Sequence, residues 1–567
     1  MEKRFFLVFA LFFLLIFAAQ PLLKKYQTKP TEPPQSQNVA APAPPQPSNA
    51  MAASVPAPST AAARQASAES ETVVENDLYK ITFTNRGAIV KSWILKKFTD
   101  DKDQPLELVN GAASQRYGYP LSMWAYDESL RNKMNNALYV SSESGKLSAP
   151  GALTFEYSDG GLTVRKKFEF DSTYVVKSET SVTSQGSTVS AFPMWPAGFG
   201  DETSVSAYAA SQVVYQDDAK TERLKIKDVS GGKTIPGPFA WGGIVDQYFA
   251  AVFLPEDPAN AVLVTLRNPL DVPKDFQKPD PKQTTKIDVL GAAVGNLHGT
   301  TQQRIYVGPK ALDVLESIAA PNVHGESPDL HGVVDFGGWL GVIAKPLFLW
   351  LKWTHDHIVP NWGWAIVVQT LIINLALLPL RLSQMKSMLK MQRIAPQVKA
   401  IQEKYKKYSM RDPRKQDMNQ EISALYKEHG ANPAGGCLPL LVQMPFLFAY
   451  YRMLGVALDL RHAHWLWIKD LSSPDPWHIL PIAIVITMLF MQRMTPQAGM
   501  DPAQQKMMNI FMPLMLGYIS FNLAAGLCLY WSEGNLIAIV QQAIMNRTEL
   551  GREMRELAEK RARKKEK

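Results

Sequence analysis

Cysteine is nearly absent from this sequence. Its 567 residues include two, Cys437 and Cys528, and both lie in apolar C-terminal segments. The long polar region before them contains none, which excludes a disulfide-stapled secreted scaffold and a zinc or iron–sulfur site with cysteine ligands. Common enzyme motifs are also missing: there is no G-x-S-x-G or H-E-x-x-H, and Gly231 to Thr234 lacks the upstream glycine of a P-loop. We therefore expect neither an enzyme nor a bound metal or cofactor.

Several stretches of about 20 residues, the length that crosses a bilayer, are nearly free of charge. The first follows Lys3 and Arg4 and predicts an uncleaved anchor, because Phe17 stands where signal-peptide cleavage needs a small residue. Four more apolar regions crowd the C-terminal part, and the last is too long for one helix and breaks at Asn522 to Gly526. The six predicted spans are 5–23, 362–380, 437–458, 479–494 and the two halves of 507–544.

The uneven distribution of basic residues orients these spans. Residues 381–430 contain 12 Lys and Arg against 5 Asp and Glu, whereas residues 457–478 contain two basic and three acidic residues. Residues 560–567 add six basic residues and one acid. Because basic loops stay on the cytoplasmic side, the first loop and both termini are predicted to be cytoplasmic. Residues 24–360 then lie outside the cytoplasm.

This external region has two parts. Residues 28–72 include nine prolines among Ala, Ser, Gln and Thr and predict a flexible tether, because such a composition buries little apolar surface. From 73 to 320, alternating apolar residues and turn signals predict a large antiparallel β-sandwich. A carbohydrate-active enzyme is the alternative, but its candidate carboxylates, such as Glu156 and Glu169, are scattered, so a structural or docking domain is favoured. The predicted strands are 78–83, 162–171, 174–182, 249–254, 261–266, 286–290 and 303–307.

Residues 321–360 connect the sandwich to the apolar C-terminal part. Lys345 and Lys352 are seven residues apart and share one face of a predicted helix whose other faces are apolar and aromatic, with Pro346 inside it. This pattern is typical of a helix that lies in the membrane interface. A seventh span is the alternative.

Polar residues inside the predicted spans are the main functional signal. An ionised group at membrane depth costs roughly 2.5–3.5 kcal/mol on insertion scales, so such residues should line a wet space. Glu533 is the sharpest outlier, in an otherwise apolar run. We expect a polar groove, although helix-to-helix hydrogen bonds would explain the same pattern. The candidate groove residues are Thr370, Asn374, Arg381, Gln443, Tyr530, Trp531 and Glu533.

The basic loop predicts a helical hairpin. Its first helix covers 382–408, interrupted by Pro396, and its second covers 413–429, where Met418, Ile422 and Leu425 share a face. A basic hairpin and tail suit an acidic partner such as ribosomal RNA, anionic lipid or a protein. A solvated loop that only sets orientation is the alternative. The candidate contacts with such a partner, which are ribosome contacts if the partner is ribosomal RNA, are Lys404, Lys406, Lys407, Arg411, Arg414, Lys415, Lys560, Arg561, Arg563, Lys564 and Lys565.

The C-terminal part contains four recognisable motifs, NWGWAIVVQTLIINLALLPLRLSQMKSMLKMQ (361–392), NPAGGCLPLLVQMPFLFAYYRML (432–454), DPAQQKMMNIFMP (501–513) and GLCLYW (526–531). Together they resemble the YidC/Oxa family of membrane protein insertases in its Gram-negative form. The order of the parts is also similar. These parts are an anchor (1–27), tether (28–72), periplasmic sandwich (73–320), linker with interfacial helix (321–360), five-span core (361–546) with a hairpin at 381–431, and basic tail (547–567).

The resemblance implies an insertase and folding chaperone of the bacterial inner membrane that is not an enzyme. A polar groove would shelter the hydrophilic flank of a nascent membrane protein while its apolar segment enters the phospholipid bilayer, alone or with the Sec translocon. Thr370, Tyr530 and Trp531 match positions that contact substrate, Gln443 matches the polar residue of the third span, and the hairpin and tail match regions that engage ribosomes.

One departure from the family pattern concerns the groove. Asn374 stands where the family usually has an arginine, and Arg381 is a candidate substitute. The residues alone leave two other function classes open, a secondary transporter or lipid flippase and a sugar-active periplasmic enzyme anchored by its spans.

Overall fold

A computed structural model describes residues 63–217, 220–276, 278–323, 325, 328–408, 412–430, 438–494, 506–549, 551–553 and 556. The predicted N-terminal anchor, most of the tether and the end of the basic tail lie outside these ranges. The described residues belong to two compact units. The first contains residues 63–338 together with Gly455–Asp459, and the second contains the remaining residues from Trp339 onward.

The first unit is built mainly of strands. In chain order they are β1 Glu71–Glu75, β2 Tyr79–Thr84, β3 Ile89–Thr99, β4 Pro105–Glu107, β5 Ser122–Ala125, β6 Val140–Ser141, β7 Gly145–Ser148, β8 Gly151–Asp159, β9 Leu162–Phe170, β10 Val175–Ser184, β11 Ser187–Thr188, β12 Ala191–Trp195, β13 Gln212–Asp217, β14 Lys220–Lys225, β15 Thr234–Pro236, β16 Gly242–Val245, β17 Phe249–Pro255, β18 Ala261–Pro273, β19 Thr284–Asn296 and β20 Thr301–Pro309.

Three sheets organise these strands. Their orders are β4-β3-β2-β1-β7, then β14-β13-β16-β17-β20-β10-β9-β8-β6 with β11 beside β10, and finally β15-β18-β19-β12-β5. Among the described strands, the β1–β7 pairing is parallel and the other pairings are antiparallel. The predicted sandwich-like architecture is confirmed, and each of the seven predicted strands overlaps an observed one.

Two strands are longer than their patterns predicted. β18 and β19 each run for 13 residues and pair along their whole length. β18 continues through Pro269, which cannot donate a backbone hydrogen bond. Because β15 pairs with β18 only from Val262 to Val264, the other edge of β18 is open at Pro269, and a proline is tolerated at such an edge.

Alternation along β9 places a lysine on the buried face of its sheet. Leu162, Val164, Phe168 and Phe170 point inward as predicted, and Lys166 lies among them with no exposed surface. Its Nζ donates hydrogen bonds to three backbone carbonyl oxygens, Gly87 O at 2.8 Å, Ala88 O at 3.1 Å and Leu121 O at 2.9 Å. One ammonium group therefore satisfies carbonyls from two separate loops.

Replacing Lys166 with methionine should destabilise the first unit by about 3 kcal/mol, because three buried carbonyls lose their donor while the aliphatic volume is kept. Urea unfolding of a fragment comprising residues 63–338 measures this change. Lys167→Met is the matched control, since Lys167 pairs with Glu169 at 2.6 Å on the partly exposed face, and such pairs contribute at most about 1 kcal/mol. Equal losses of unfolding free energy in the two variants would show that the three hydrogen bonds of Lys166 do not stabilise the unit.

Short helices complete the first unit and longer ones form the second. The first unit contains α1 Gly111–Tyr117, α2 Glu128–Asn136, α3 Val205–Ala210 and α4 Leu312–Glu316. The second contains α5 Gly341–His357, α6 Trp362–Ala376, α7 Leu378–Lys404, α8 Arg414–Glu428, α9 Leu438–Val456, α10 Ile479–Met494, α11 Met512–Ser520, which follows a π-helical turn at Met507–Phe511, and α12 Ala525–Arg547.

The helix boundaries follow proline and capping residues, with one exception. Asn361 caps α6 by accepting a hydrogen bond from Trp364 N at 3.1 Å, and Pro379 in the first turn of α7 prevents α6 from continuing. The predicted break between α11 and α12 is also present. The predicted interruption at Pro396 is wrong: α7 runs through it. The flanking Ile394 and Val398 pack against α8, and this contact keeps the helix continuous.

Candidate functional site

The second unit has apolar side chains outside and polar ones inside. Ile486 of α10 is 61% exposed, and Val540 of α12 is 57% exposed. On the inner faces, Gln369 and Thr370 of α6 have no exposed surface, and Ser532 of α12 is 4% exposed. Water favours the opposite arrangement, with polar groups outside. The distribution is that of a protein whose surroundings are apolar and whose interior offers hydrogen bonds.

The polar interior begins on α6. Thr370 Oγ1 donates to Ile366 O at 2.7 Å, and Asn374 Nδ2 donates to Thr370 O at 2.9 Å. Arg381 lies just beyond the break at Leu377, in the first turn of α7, and its Nη2 reaches Asn374 Oδ1 at 3.5 Å. The stripe predicted from spacing therefore persists across the break between the two helices.

An aromatic pair from α9 and α12 closes one side of this stripe. The rings of Tyr450 and Tyr530 stack with their centroids 4.0 Å apart. Tyr450 also donates from its hydroxyl to Gln369 Oε1 at 2.9 Å, and Gln369 Nε2 donates to Leu347 O of α5 at 3.0 Å. Gln369 thus connects three helices through one side chain.

Helix α12 supplies the remaining polar groups. The side chain of Glu533 is hydrogen-bonded to the Thr370 hydroxyl, and its Oε2 is buried with no hydrogen-bond partner among the described residues. About two helical turns further on, Gln541 Nε2 donates to Asn374 O at 3.3 Å. We call Gln369, Thr370, Asn374, Arg381, Tyr450, Tyr530, Glu533 and Gln541 the polar cluster.

Two family models match the chain, one described as the YidC periplasmic domain over residues 71–350 and one as the 60Kd inner membrane protein over residues 353–552. A membrane protein insertase YidC of Bordetella avium is 31% identical over 501 residues, which cover 84% of this chain and 83% of that protein. The chain belongs to the YidC family. A YidC of Geobacter sulfurreducens is 32% identical, with coverage of 83% of this chain and 85% of that one.

A solved structure of an active YidC insertase is also similar, with 18% identity, a TM-score of 0.34 and coverage of 86% of this chain and 95% of that one. The family assignment rests on the sequences alone. It confirms the resemblance inferred from the motifs. The YidC family is a family of insertases and not of enzymes.

Five of the seven predicted groove residues lie together in the polar cluster. They are Thr370, Asn374, Arg381, Tyr530 and Glu533. Trp531 shares a face of α12 with Asn535, whose Nδ2 donates to Thr487 Oγ1 of α10 at 3.1 Å. It therefore points away from the polar cluster. The side chain of Gln443 lies outside the described residues. A role in substrate contact stays a prediction for all seven.

Sequence reasoning missed Gln369 and Gln541 as members of the cluster. Both are uncharged glutamines in apolar runs, and each becomes conspicuous only when its partner on another helix is known. A search for every amide side chain within the predicted spans would have found them, because an unpaired amide is costly in an apolar environment.

The basic loop forms the predicted antiparallel hairpin of α7 and α8. Lys404 pairs with Glu421 at 2.7 Å and Lys390 Nζ donates to Gly430 O at 3.2 Å, which fixes the antiparallel register. Lys406 and Lys407 are exposed at the tip, and Arg414 pairs with Asp412 at 3.0 Å. Of the other candidate ribosome contacts, Arg411, the side chain of Lys415 and the five residues between 560 and 565 lie outside the described residues.

In the described ranges, no helix taken singly has both the length and the apolar composition of a membrane span, although α5 and α6 would qualify as a pair that bends by 120°. The same ranges contain no group of three or more His, Cys, Asp or Glu side chains that could hold a metal ion. The count of six spans stays a prediction.

Proposed function

We propose that this chain is a six-span membrane protein insertase and folding chaperone, and that the polar cluster is the centre of its substrate groove. The observation that carries the proposal is the inverted distribution of polarity in the second unit, with apolar side chains outside and the polar cluster inside. A soluble helical bundle would bury its apolar face instead.

The groove would work by lowering the barrier for a polar segment and not by chemical catalysis. A hydrophilic flank of a nascent chain would exchange water for the hydroxyl, amide and carboxyl groups of the polar cluster. Its apolar segment would leave the groove sideways into lipid, a transfer favoured by about 25 cal/mol per Å² of apolar surface. Nucleotide hydrolysis has no part in this process.

The remaining parts of the proposal follow the order of the segments. Residues 1–27 would anchor the chain, 28–72 would tether the periplasmic unit 73–320, 321–360 would include the interfacial helix, 361–546 would form the insertase core, and 547–567 would form the tail. Both termini would be cytoplasmic in a bacterial inner membrane. The hairpin and the tail would bind ribosomes, and the core would act alone or beside the Sec translocon.

Purified protein in liposomes tests the function directly. A single-span test protein with a short translocated tail should become protected from added protease well above the level found with protein-free liposomes. A variant lacking Leu78 to Gly308 should keep most of this activity, because the polar cluster lies wholly outside the deleted residues.

Protection at the protein-free level would contradict an insertase that works alone. Ribosome binding without insertion would indicate a chaperone that depends on the Sec translocon, and neither activity would favour a transporter. Loss of function on deletion of the sandwich alone would favour a sugar-active periplasmic enzyme.

A further inference from the structure

A tight turn in the loop between α9 and α10 has an unusual backbone. Trp465 N donates to Ile468 O at 2.9 Å, and Ile468 N donates to Trp465 O at 2.8 Å, which leaves two residues at the tip. Leu466 is the first of them, and its φ is +48°. Glycine, asparagine and aspartate are favoured there, because other side chains at positive φ crowd the backbone. We call residues 465–468 the Leu466 turn.

The surroundings of the leucine within the protein do not explain it. Leu466 is 66% exposed, so its contacts with the described part of the chain offset little of the backbone strain. It lies between the exposed polar residues His464 and Lys469. Strained residues are retained mainly where a function requires them. A leucine in such a conformation at an exposed tip therefore points to a contact outside the chain.

The Leu466 turn is fixed against the beginnings of two helices. The ring of Trp465 packs on Gly363 of α6 so closely that a Cβ atom on this glycine would lie 2.2 Å from the ring. Asp475 accepts hydrogen bonds from Trp467 Nε1 at 3.0 Å and from Leu480 N of α10 at 2.8 Å. The tip therefore keeps a defined position relative to α6 and α10.

Exposed tryptophans beside the turn continue the apolar outer surface of the second unit. Trp364 of α6 packs edge-on against Trp465, with ring centroids 5.7 Å apart, and is 45% exposed. Trp477 is 66% exposed, and its backbone N donates to the Asp475 oxygen that also binds Trp467. Tryptophan is enriched at the boundary between lipid headgroups and acyl chains. Since this surface is continuous with the apolar exterior of the helices, lipid is the occupant that it fits.

We infer that the Leu466 turn is an interfacial anchor, in which Leu466 inserts into the acyl-chain boundary of the periplasmic leaflet between the flanking Trp364 and Trp477. The inference rests on the proposed insertase function and its orientation in the membrane. Thr370 lies nine residues beyond Asn361, the cap of α6, which is roughly 14 Å along the helix axis. Half the hydrocarbon core of a bilayer is about 15 Å. An anchor at the beginning of α6 therefore holds the polar cluster near the middle of the membrane.

The test measures the depth of an NBD fluorophore on the full-length protein in phosphatidylcholine and phosphatidylglycerol vesicles. Each labelling site is introduced into a Cys437→Ala, Cys528→Ala background. The sites are Leu466→Cys, Glu71→Cys on an exposed position of β1 as the aqueous control, and Ile486→Cys, 61% exposed on α10, as the lipid control. Quenching by iodide in the water is compared with quenching by lipids that carry a spin label either near the headgroup or deep in the acyl chain.

We expect iodide to quench the Leu466 label several-fold less than the Glu71 label, and the shallow spin label to quench it more than the deep one. The Ile486 label should respond more to the deep spin label. Equal iodide quenching at Leu466 and Glu71 would place the turn in water and overturn the inference. Protection of the Leu466 label from iodide and from both lipids would show that protein covers the tip, and would overturn it as well.

The Leu466→Gly variant tests whether the contact sets the depth of α6. Glycine accepts positive φ without strain and removes the apolar tip, whereas Leu466→Met keeps an apolar side chain. The reporter is a label at Ile372→Cys, 42% exposed on the outer surface of α6. Its ratio of shallow to deep quenching should rise in Leu466→Gly and stay constant in Leu466→Met. An unchanged ratio in Leu466→Gly would show that the turn does not hold α6 at its depth.

Protease protection of the single-span test protein in vesicles containing the unmodified chain reports the proposed function separately. Failure of this insertion, together with shallow lipid quenching at Leu466, would contradict the insertase while supporting the lipid contact. Normal insertion with the Leu466 label in water would contradict the anchor and leave the insertase intact.

Discussion

Replacing Asn374 with leucine should lower the insertion of a substrate with a charged translocated tail about tenfold, equivalent to about 1.4 kcal/mol. Asn374 is the junction of the polar cluster: its side chain contacts Thr370 O and Arg381 Nη2, and its carbonyl oxygen accepts from Gln541. Leucine fills a similar volume but offers no hydrogen bond, so a polar flank would cross an apolar section. The Arg381 guanidinium would lose its contact as well.

Protease protection in liposomes measures the loss of insertion, and two further variants serve as comparisons. Ile372→Leu changes an apolar side chain on the outer surface of α6, where Ile372 is 42% exposed, and should insert the substrate at the rate of the unmodified chain. Asn374→Gln keeps an amide and should retain part of the activity. Unchanged insertion by Asn374→Leu would show that the hydration of the groove does not depend on this residue.

Replacing Glu202 with glutamine should stabilise the first unit by about 4 kcal/mol at pH 9 and leave its stability at pH 4 nearly unchanged. Burial and, to a lesser extent, the neighbouring Asp246 carboxyl group raise the pKa of Glu202 from 4.5 to about 8. Glu202 accepts hydrogen bonds from Ser211 Oγ and, at 3.1 Å, from Phe199 N. Glutamine can keep both contacts, because a serine hydroxyl also accepts.

The sign of the pH dependence follows from proton uptake. Below pH 4.5 the carboxyl group is protonated in both the folded and the unfolded state, so it contributes no difference. Between pH 4.5 and about 8 the unfolded chain releases the proton while the folded chain keeps it, and stability therefore falls as pH rises. Above about pH 8 the folded state carries the full cost of a buried charge, which the glutamine variant avoids.

Urea unfolding of residues 63–338 at pH 4, 7 and 9 gives the free energies needed. The exposed Glu71→Gln variant should follow the unmodified fragment at all three values. A constant difference between Glu202→Gln and the unmodified fragment across the pH range would contradict the assigned protonation, because a packing effect alone does not depend on pH.

The strands could be predicted from the sequence where one face of the strand is buried and the other is exposed. In β9 the buried face alternates strictly, and period-two spacing revealed it even though Lys166 interrupts the apolar series. The spacing could not reveal why a lysine is tolerated there, since the three carbonyls that it contacts come from residues 45 to 79 positions away. The second halves of β18 and β19 were not predicted. In β18, Leu270 and Val272 belong to a buried apolar cluster, but Pro269 and Asp271 obscure their pattern in the sequence. In β19, the residues from Gly291 to Val294 are buried without any alternation.

The polar cluster was predictable in part for a similar reason. Thr370 and Asn374 share a stripe through local helical spacing, and Glu533 is conspicuous as a charge in an apolar run. Proline gave opposite results at two positions: Pro379 ends a helix, whereas Pro396 lies inside α7. The difference comes from tertiary packing, because Ile394 and Val398, on either side of Pro396, pack against α8. The local sequence around Pro396 does not predict this contact.

If α7 turns as a rigid rod about the single-residue break at Leu377, the hairpin acts as a lever. Helix α7 has 27 residues, which corresponds to a rod of about 40 Å, and Arg381 lies only about 6 Å along it from the pivot. A sideways movement of about 7 Å at the tip beside Lys404 therefore becomes about 1 Å at Arg381. That reduced movement is large enough to open the 3.5 Å contact between Arg381 and Asn374. A force on the tip of the hairpin would thus act on the groove through the single hydrogen bond between Arg381 and Asn374.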